Sequence, residues 1–180
     1  MTKLILAALL VGALAVPLSA GPVAAGTWYE FAFGAAGVPA TGCLSCVPSS
    51  GTPTVYADTP PWTFASTLPA LLTVTDAFLY GDAFDVFDFG GLIGATPAVG
   101  APGGGCGDDP ALCLADPLSS HAVFILAAGA HSITITPNVS PWGGGAAYFK
   151  WDAVPEPGTY ALFGLGLAVL AALRARARKA

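Results

Sequence analysis

The sequence predicts an all-β body, an antiparallel sandwich or jelly-roll-like single domain, set between two apolar end segments. Short runs of β-branched and aromatic residues recur through residues 26–153, Gly, Pro, Asp and Asn punctuate them, and hardly any segment has helical period. A body of roughly 130 residues holds one sizeable core and argues against two domains.

Residues 1–25 come first and have the three-part order of a secretory signal peptide: Lys3, an apolar stretch from Leu4 to Val16, then small residues around Ser19 and Ala20. Cleavage after Ala20 or after Ala25 fits the small-residue requirement equally. Trp28 to Phe33 alternates loosely and reads as the first strand. Leu71 to Leu79 alternates more clearly, Gly81-Asp82 supplies a turn, and Ala83 to Phe89 follows, so these two strands are expected to pair as a hairpin. Ala122 to Leu126 is continuously apolar, the form of a central buried strand. After a turn at Ala128-Gly129-Ala130, Ile133 and Ile135 alternate with Ser132, Thr134 and Thr136 until Pro137 and Asn138 end the strand. Beyond the glycines at 143–145, Ala146 to Asp152 forms the last strand, which brings the count to about six to eight.

The segment 154–180 has a different character. Val154, Pro155, Glu156 and Pro157 precede an apolar run from Tyr160 to Leu173, and Arg174, Arg176, Arg178 and Lys179 close it. A helix over about 159–173 could enter a bilayer, with the basic tail at 174–179 as its stop. This succession resembles the PEP-CTERM sorting signal of Gram-negative bacteria that make exopolysaccharide: a V-P-E-P box, a hydrophobic helix and an arginine-rich end. The resemblance implies export through the secretion translocon, transient anchoring in the membrane, and recognition at Val154 to Pro157 by an exosortase, for which the tag is a substrate. The stretches Thr73 to Asp88, Ala128 to Thr136 and Gly143 to Lys150 are also similar to the β-sandwich bodies common among PEP-CTERM proteins, which supports the fold and adds little about chemistry.

Charge narrows the partners. The formal net charge of −5 hides a partition in which the body carries ten acids against one base, Lys150, while the tail is basic. Phosphate backbones would repel such a body, which excludes nucleic acid. Cys43 and Cys46 form a C-x-x-C pair, and Cys106 and Cys113 form a second local pair. In an exported chain these four point to disulfides, with the local connectivity favoured among three and a thiolate metal site as the alternative.

Asp76, Asp82, Asp85 and Asp88 make the acidic cluster. Mutually repelling carboxylates can be relieved by Ca²⁺, for which Asp76, Asp82 and Asp88 are the candidates, although the spacing is not that of an EF-hand and turn or edge roles explain the same residues. His121 and His131 lack any nucleophile elbow around them and read as structural. Trp142, between Pro141 and glycines, is the tryptophan expected to be exposed and the candidate for glycan contact. The reading is a non-enzymatic cell-surface or extracellular-matrix protein, structural or adhesive, associated with exopolysaccharide. It requires no cofactor, calcium being the one left open, and a carbohydrate- or calcium-binding module is the alternative.

Overall fold

The computed structural model describes residues 21–43, 45–100 and 103–154, together with 158, 162–168 and 174. In chain order the body forms β1 (Gly21–Pro22), β2 (Trp28–Phe33), β3 (Thr54–Tyr56), β4 (Trp62–Ser66), β5 (Ala70–Asp76), β6 (Phe78–Leu79), β7 (Ala83–Asp88), β8 (Gly91–Ala95) and β9 (Gly105–Gly107). The helix α1 (Pro110–Ala115) follows, then β10 (His121–Leu126), β11 (Gly129–Val139) and β12 (Gly145–Ala153). One five-stranded sheet has the order β1-β4-β11-β7-β8, a second has the order β10-β5-β12-β2-β3, and β6 with β9 makes a small ribbon.

The two large sheets enclose one core. Phe31 on β2 lies 5.5 Å from Trp62 on β4 and 5.7 Å from Phe84 on β7, and Trp62 lies 4.7 Å from Phe149 on β12, ring centroid to ring centroid. These aromatic side chains are fully buried with Leu72, Val74, Ile133 and Ile135, so burial of apolar area from both walls holds the layers together. The sandwich expectation is met. Its pairing is mixed, however, because β1 runs parallel to β4 and β2 runs parallel to β3, while the other pairs are antiparallel.

Three local expectations are corrected. The expected hairpin does not form: β5 belongs to one sheet and β7 to the other, with Ala77 to Asp82 carrying the chain across. Leu72 and Val74 thereby face Phe84 and Val86 from opposite walls, an arrangement that buries all four. The apolar run at β10 is not central either, since β10 pairs with β5 alone at the sheet edge and leaves Ile125 81% exposed. Its inward residues Phe124 and Leu126 supply the packing. Finally, Pro137 does not end β11, because the ladder to β7 shifts register between Pro137 and Val139 and so accommodates the missing amide donor.

At the amino end, residues 21–25, which precede the expected domain boundary at 26, also pack on the body. Gly21 and Pro22 pair with Trp62 and Thr63, Val23 is buried in the core, and the Trp151 indole donates to the Val23 carbonyl at 3.1 Å. A cut after Ala25 would remove all of this, whereas one after Ala20 leaves it intact. Residues 1–20, where the rest of the expected signal peptide falls, lie outside the described residues.

Candidate functional site

The carboxy-terminal segment leaves the body at a fixed point. β12 ends at Ala153, and the Val154 amide donates to the Pro69 carbonyl at 2.8 Å, which ties the exit to the start of β5. Pro155, Glu156, Pro157, Arg176, Arg178 and Lys179 lie outside the described residues. Residues 162–168 are helical and exposed, as is Arg174, and Leu162, Phe163, Leu165 and Leu167 take no part in the core. Among the described residues no helix is long and apolar enough to cross a membrane. About half of the expected span over about 159–173 falls outside them.

In the body the four clustered aspartates separate into different roles. Asp76 ends β5 almost fully buried; Oδ1 accepts the Ala77 amide at 2.9 Å and Oδ2 has no partner. Burial, offset in part by backbone amides and reinforced by the charge of Asp82, pushes its carboxyl up to about 8. Asp82 is buried as well, and burial raises its carboxyl too, with Oδ1 unpartnered. The Ser140 hydroxyl favours the ionised form of Asp82, yet Ser140 Oγ has no hydrogen-bond partner. Asp85 accepts the Asn138 side-chain amide at 2.7 Å. Asp88 does not join Asp76 and Asp82, which corrects the three-residue calcium set: it is bound to His131 and to the Ser132 amide on β11.

Trp142 is 48% exposed, while Trp28, Trp62 and Trp151 are buried, as expected for a loop tryptophan beside core ones. Its indole donates to the Tyr80 carbonyl at 3.2 Å. Trp142 and Asp82 line one cavity of about 120 Å³ with Ala77, Phe78, Leu79 and Ala146. Gly81 holds this arrangement together because its φ of +125° suits glycine, and a Cβ there would come within 2.9 Å of Pro141. Of the calcium candidates, Asp82 therefore shares a cleft with the glycan candidate Trp142.

Each imidazole lies against a backbone carbonyl. His121 Nδ1 lies 2.8 Å from the Ser119 carbonyl. His131 uses both ring nitrogens, one on Asp88 and one on the Ala127 carbonyl, and packs on Phe64 with centroids 4.9 Å apart. Among the described residues neither side chain meets a serine hydroxyl, and the Ser120 hydroxyl donates to the Pro97 carbonyl at 2.6 Å. The arrangement is not a triad.

The cysteines form the two local disulfides, Cys43 to Cys46 and Cys106 to Cys113. The second fastens β9 to α1, whose amino end is capped by Asp109 accepting the Ala111 amide at 2.9 Å, with Pro110 in the first turn. Beside the first disulfide stands a residue that sequence reasoning missed. Glu30, in the middle of β2, is fully buried, neither of its carboxyl oxygens has a partner, and burial together with the charge of Asp108 pushes it up to about 7. One signal was available in the sequence. Glu30 is the lone charge in the otherwise apolar strand Trp28–Phe33.

Residues 153–179 match the family model described as PEP-CTERM protein-sorting motif. The chain thus carries a PEP-CTERM sorting signal, which marks it for exosortase processing, export and sorting to the cell surface. Searches of the curated proteins and of the solved structures found no match.

Proposed function

We propose that this is a cell-surface or extracellular-matrix protein with a non-enzymatic, structural or adhesive body, made by an exopolysaccharide-producing bacterium. A signal peptide starts export through the translocon and is cut after Ala20. The apolar segment over about 159–173 then holds the chain in the membrane, with Arg174, Arg176, Arg178 and Lys179 on the inner side, until an exosortase acts at Val154 to Pro157. The observation that carries this reading is positional: β12, the last strand, ends at Ala153, and the sorting motif spans residues 153–179. In the sequence Pro155 to Pro157 follow the last strand almost directly. Mass spectrometry of the mature protein from its own host tests it. The expected termini are Gly21 and a residue near Pro157, and recovery of an intact tail through Lys179 in the exported protein would sink it.

One observation favours a second reading, a calcium- or carbohydrate-binding sandwich. Asp76 Oδ2, Asp82 Oδ1 and Ser140 Oγ are buried oxygens without partners, and the half-exposed ring of Trp142 borders the same cleft as Asp82. A hard divalent cation accepts oxygen ligands of this kind, and an exposed indole stacks on sugar rings.

A further inference from the structure

We propose that the Cys43–Cys46 disulfide is an exchangeable, redox-active bond and that Glu30 donates the proton to the sulfur released when it opens. The pair is placed by backbone contacts: the Ala57 amide donates to the Glu30 carbonyl, and the Cys43 amide donates to the Ala57 carbonyl, at 2.8 and 2.9 Å. This brings a Glu30 carboxyl oxygen and both sulfurs within 4.8 Å of one another. Glu30 is fully buried with both oxygens unpartnered, a setting that favours the neutral acid and so stores a proton beside the bond. Cys43 is buried and Cys46 is partly open to solvent, which makes Cys46 the sulfur that an incoming thiol reaches. A cavity of about 390 Å³ lined by Thr41, Gly42, Cys43, Tyr56, Ala57 and Asp58 opens on the Cys43 side of the bond.

The chemistry balances with an external thiol, either a small molecule or a protein cysteine, as reductant. Its thiolate attacks Cys46 Sγ and forms a mixed disulfide while the Cys43–Cys46 bond breaks. The electron pair leaves on Cys43 Sγ, which takes the Glu30 proton. A second thiolate then attacks the external sulfur of the mixed disulfide, so Cys46 leaves as thiolate and takes up a proton from solvent. Two thiols are oxidised to a disulfide as one protein disulfide is reduced. Cys106–Cys113 is the internal control: Cys113 is fully buried against Trp28, Ala77 and Tyr148, and no carboxyl shares a comparable cluster with it among the described residues.

The groups around Glu30 set its pH dependence. Tyr148 on β12 and Tyr56 on β3 are its partners across the sheet, and Asp108 approaches from the segment after β9. Asp109 is the next acid along and acts on Tyr148, whereas Lys150 is paired with Asp152 at 2.9 Å. Among the described residues no cation neutralises Glu30, and Asp108 opposes its ionisation, so the proton is held up to about pH 7.

The test is thiol trapping and mass spectrometry of the full-length protein during timed exposure to dithiothreitol, with rates normalised to the thiolate concentration at each pH. Cys43–Cys46 is expected to open about tenfold or more ahead of Cys106–Cys113 at pH 6. Glu30→Gln should slow that opening at pH 6, and the advantage of the wild type should fade as pH rises through about 7. Asp108→Asn, which removes the opposing charge and keeps the carboxyl, should move the fading to lower pH. Simultaneous opening of the two disulfides overturns the proposal, as does a Glu30→Gln profile that runs parallel to the wild type at every pH. If Glu30→Gln does not fold, an unmoved profile in Asp108→Asn decides against it.

Discussion

His131 and Asp88 are joined at 2.8 Å across the β11–β7 ladder, and the other ring nitrogen of His131 lies 2.9 Å from the Ala127 carbonyl. Both ring nitrogens thus lie within hydrogen-bond distance of an oxygen. Asp88 completes the arrangement by accepting the Ser132 amide at 2.9 Å. One histidine thus holds the turn before β11 and the end of β7 in register. Replacing it in His131→Ala leaves a half-buried carboxylate short of a hydrogen-bond partner and should lower stability by about 1–3 kcal/mol. An unchanged denaturation midpoint would show the pair to be dispensable.

The aromatic centre should respond far more than the loop tryptophan. Phe31→Ala removes a fully buried ring that touches Trp62, Phe84 and Phe149, and should cost about 3–5 kcal/mol. Trp142→Ala, at a half-exposed position, should shift stability by roughly 1 kcal/mol or less. Urea unfolding of the two variants side by side checks the contrast. The same Trp142→Ala protein on a glycan array decides whether the ring contacts sugar.

Stability should fall as pH rises from acid towards about 8. Asp76 ionises at an ordinary 3.8 when unfolded but at about 8 when folded, and Glu30 moves from 4.5 to about 7. Between those values the folded state holds more protons than the unfolded state, so each unit of added pH favours unfolding. Asp76→Asn should flatten the upper part of this dependence. A melting temperature that climbs steadily from pH 5 to 8 would contradict the burial of these acids.

Calcium, if it binds, should act through the ionised form of the same acids. Its addition should raise the melting temperature near pH 8, have little effect near pH 5, and lose its effect in Asp82→Asn. Asp88→Asn should leave any calcium response in place, because Asp88 belongs to the His131 contact. Equal melting with calcium and with chelator at pH 8 would remove the calcium reading.

Gly81→Ala should destabilise the body by about 1–3 kcal/mol. The φ of +125° strains any L residue, and the added methyl would press on Pro141 at 2.9 Å. Both effects fall on the cleft that Trp142 and Asp82 share, so a variant of full stability would argue that the loop simply yields. Differential scanning calorimetry gives the comparison.

The sequence by itself determined which segments are strands where alternation or aromatic content is strong. β2, the centre of β11 and β12 lie where the residues place them, with Ile133 and Ile135 inward and Ser132, Thr134 and Thr136 partly open. It also determined the two local disulfides and the sorting motif, because both are written in residues close together in the chain. Which strand lies beside which was decided only by the tertiary structure. A two-residue period marks the inner face of a strand and says nothing about its neighbour, so β5 and β7 read as a hairpin but stand on opposite walls, and the apolar β10 sits at an edge. The meeting of Glu30 with Cys43 and Cys46, the pairing of Asp88 with His131, and the cleft joining Asp82 to Trp142 are likewise products of folding. Each depends on segments far apart in the chain that are brought together to bury one shared core.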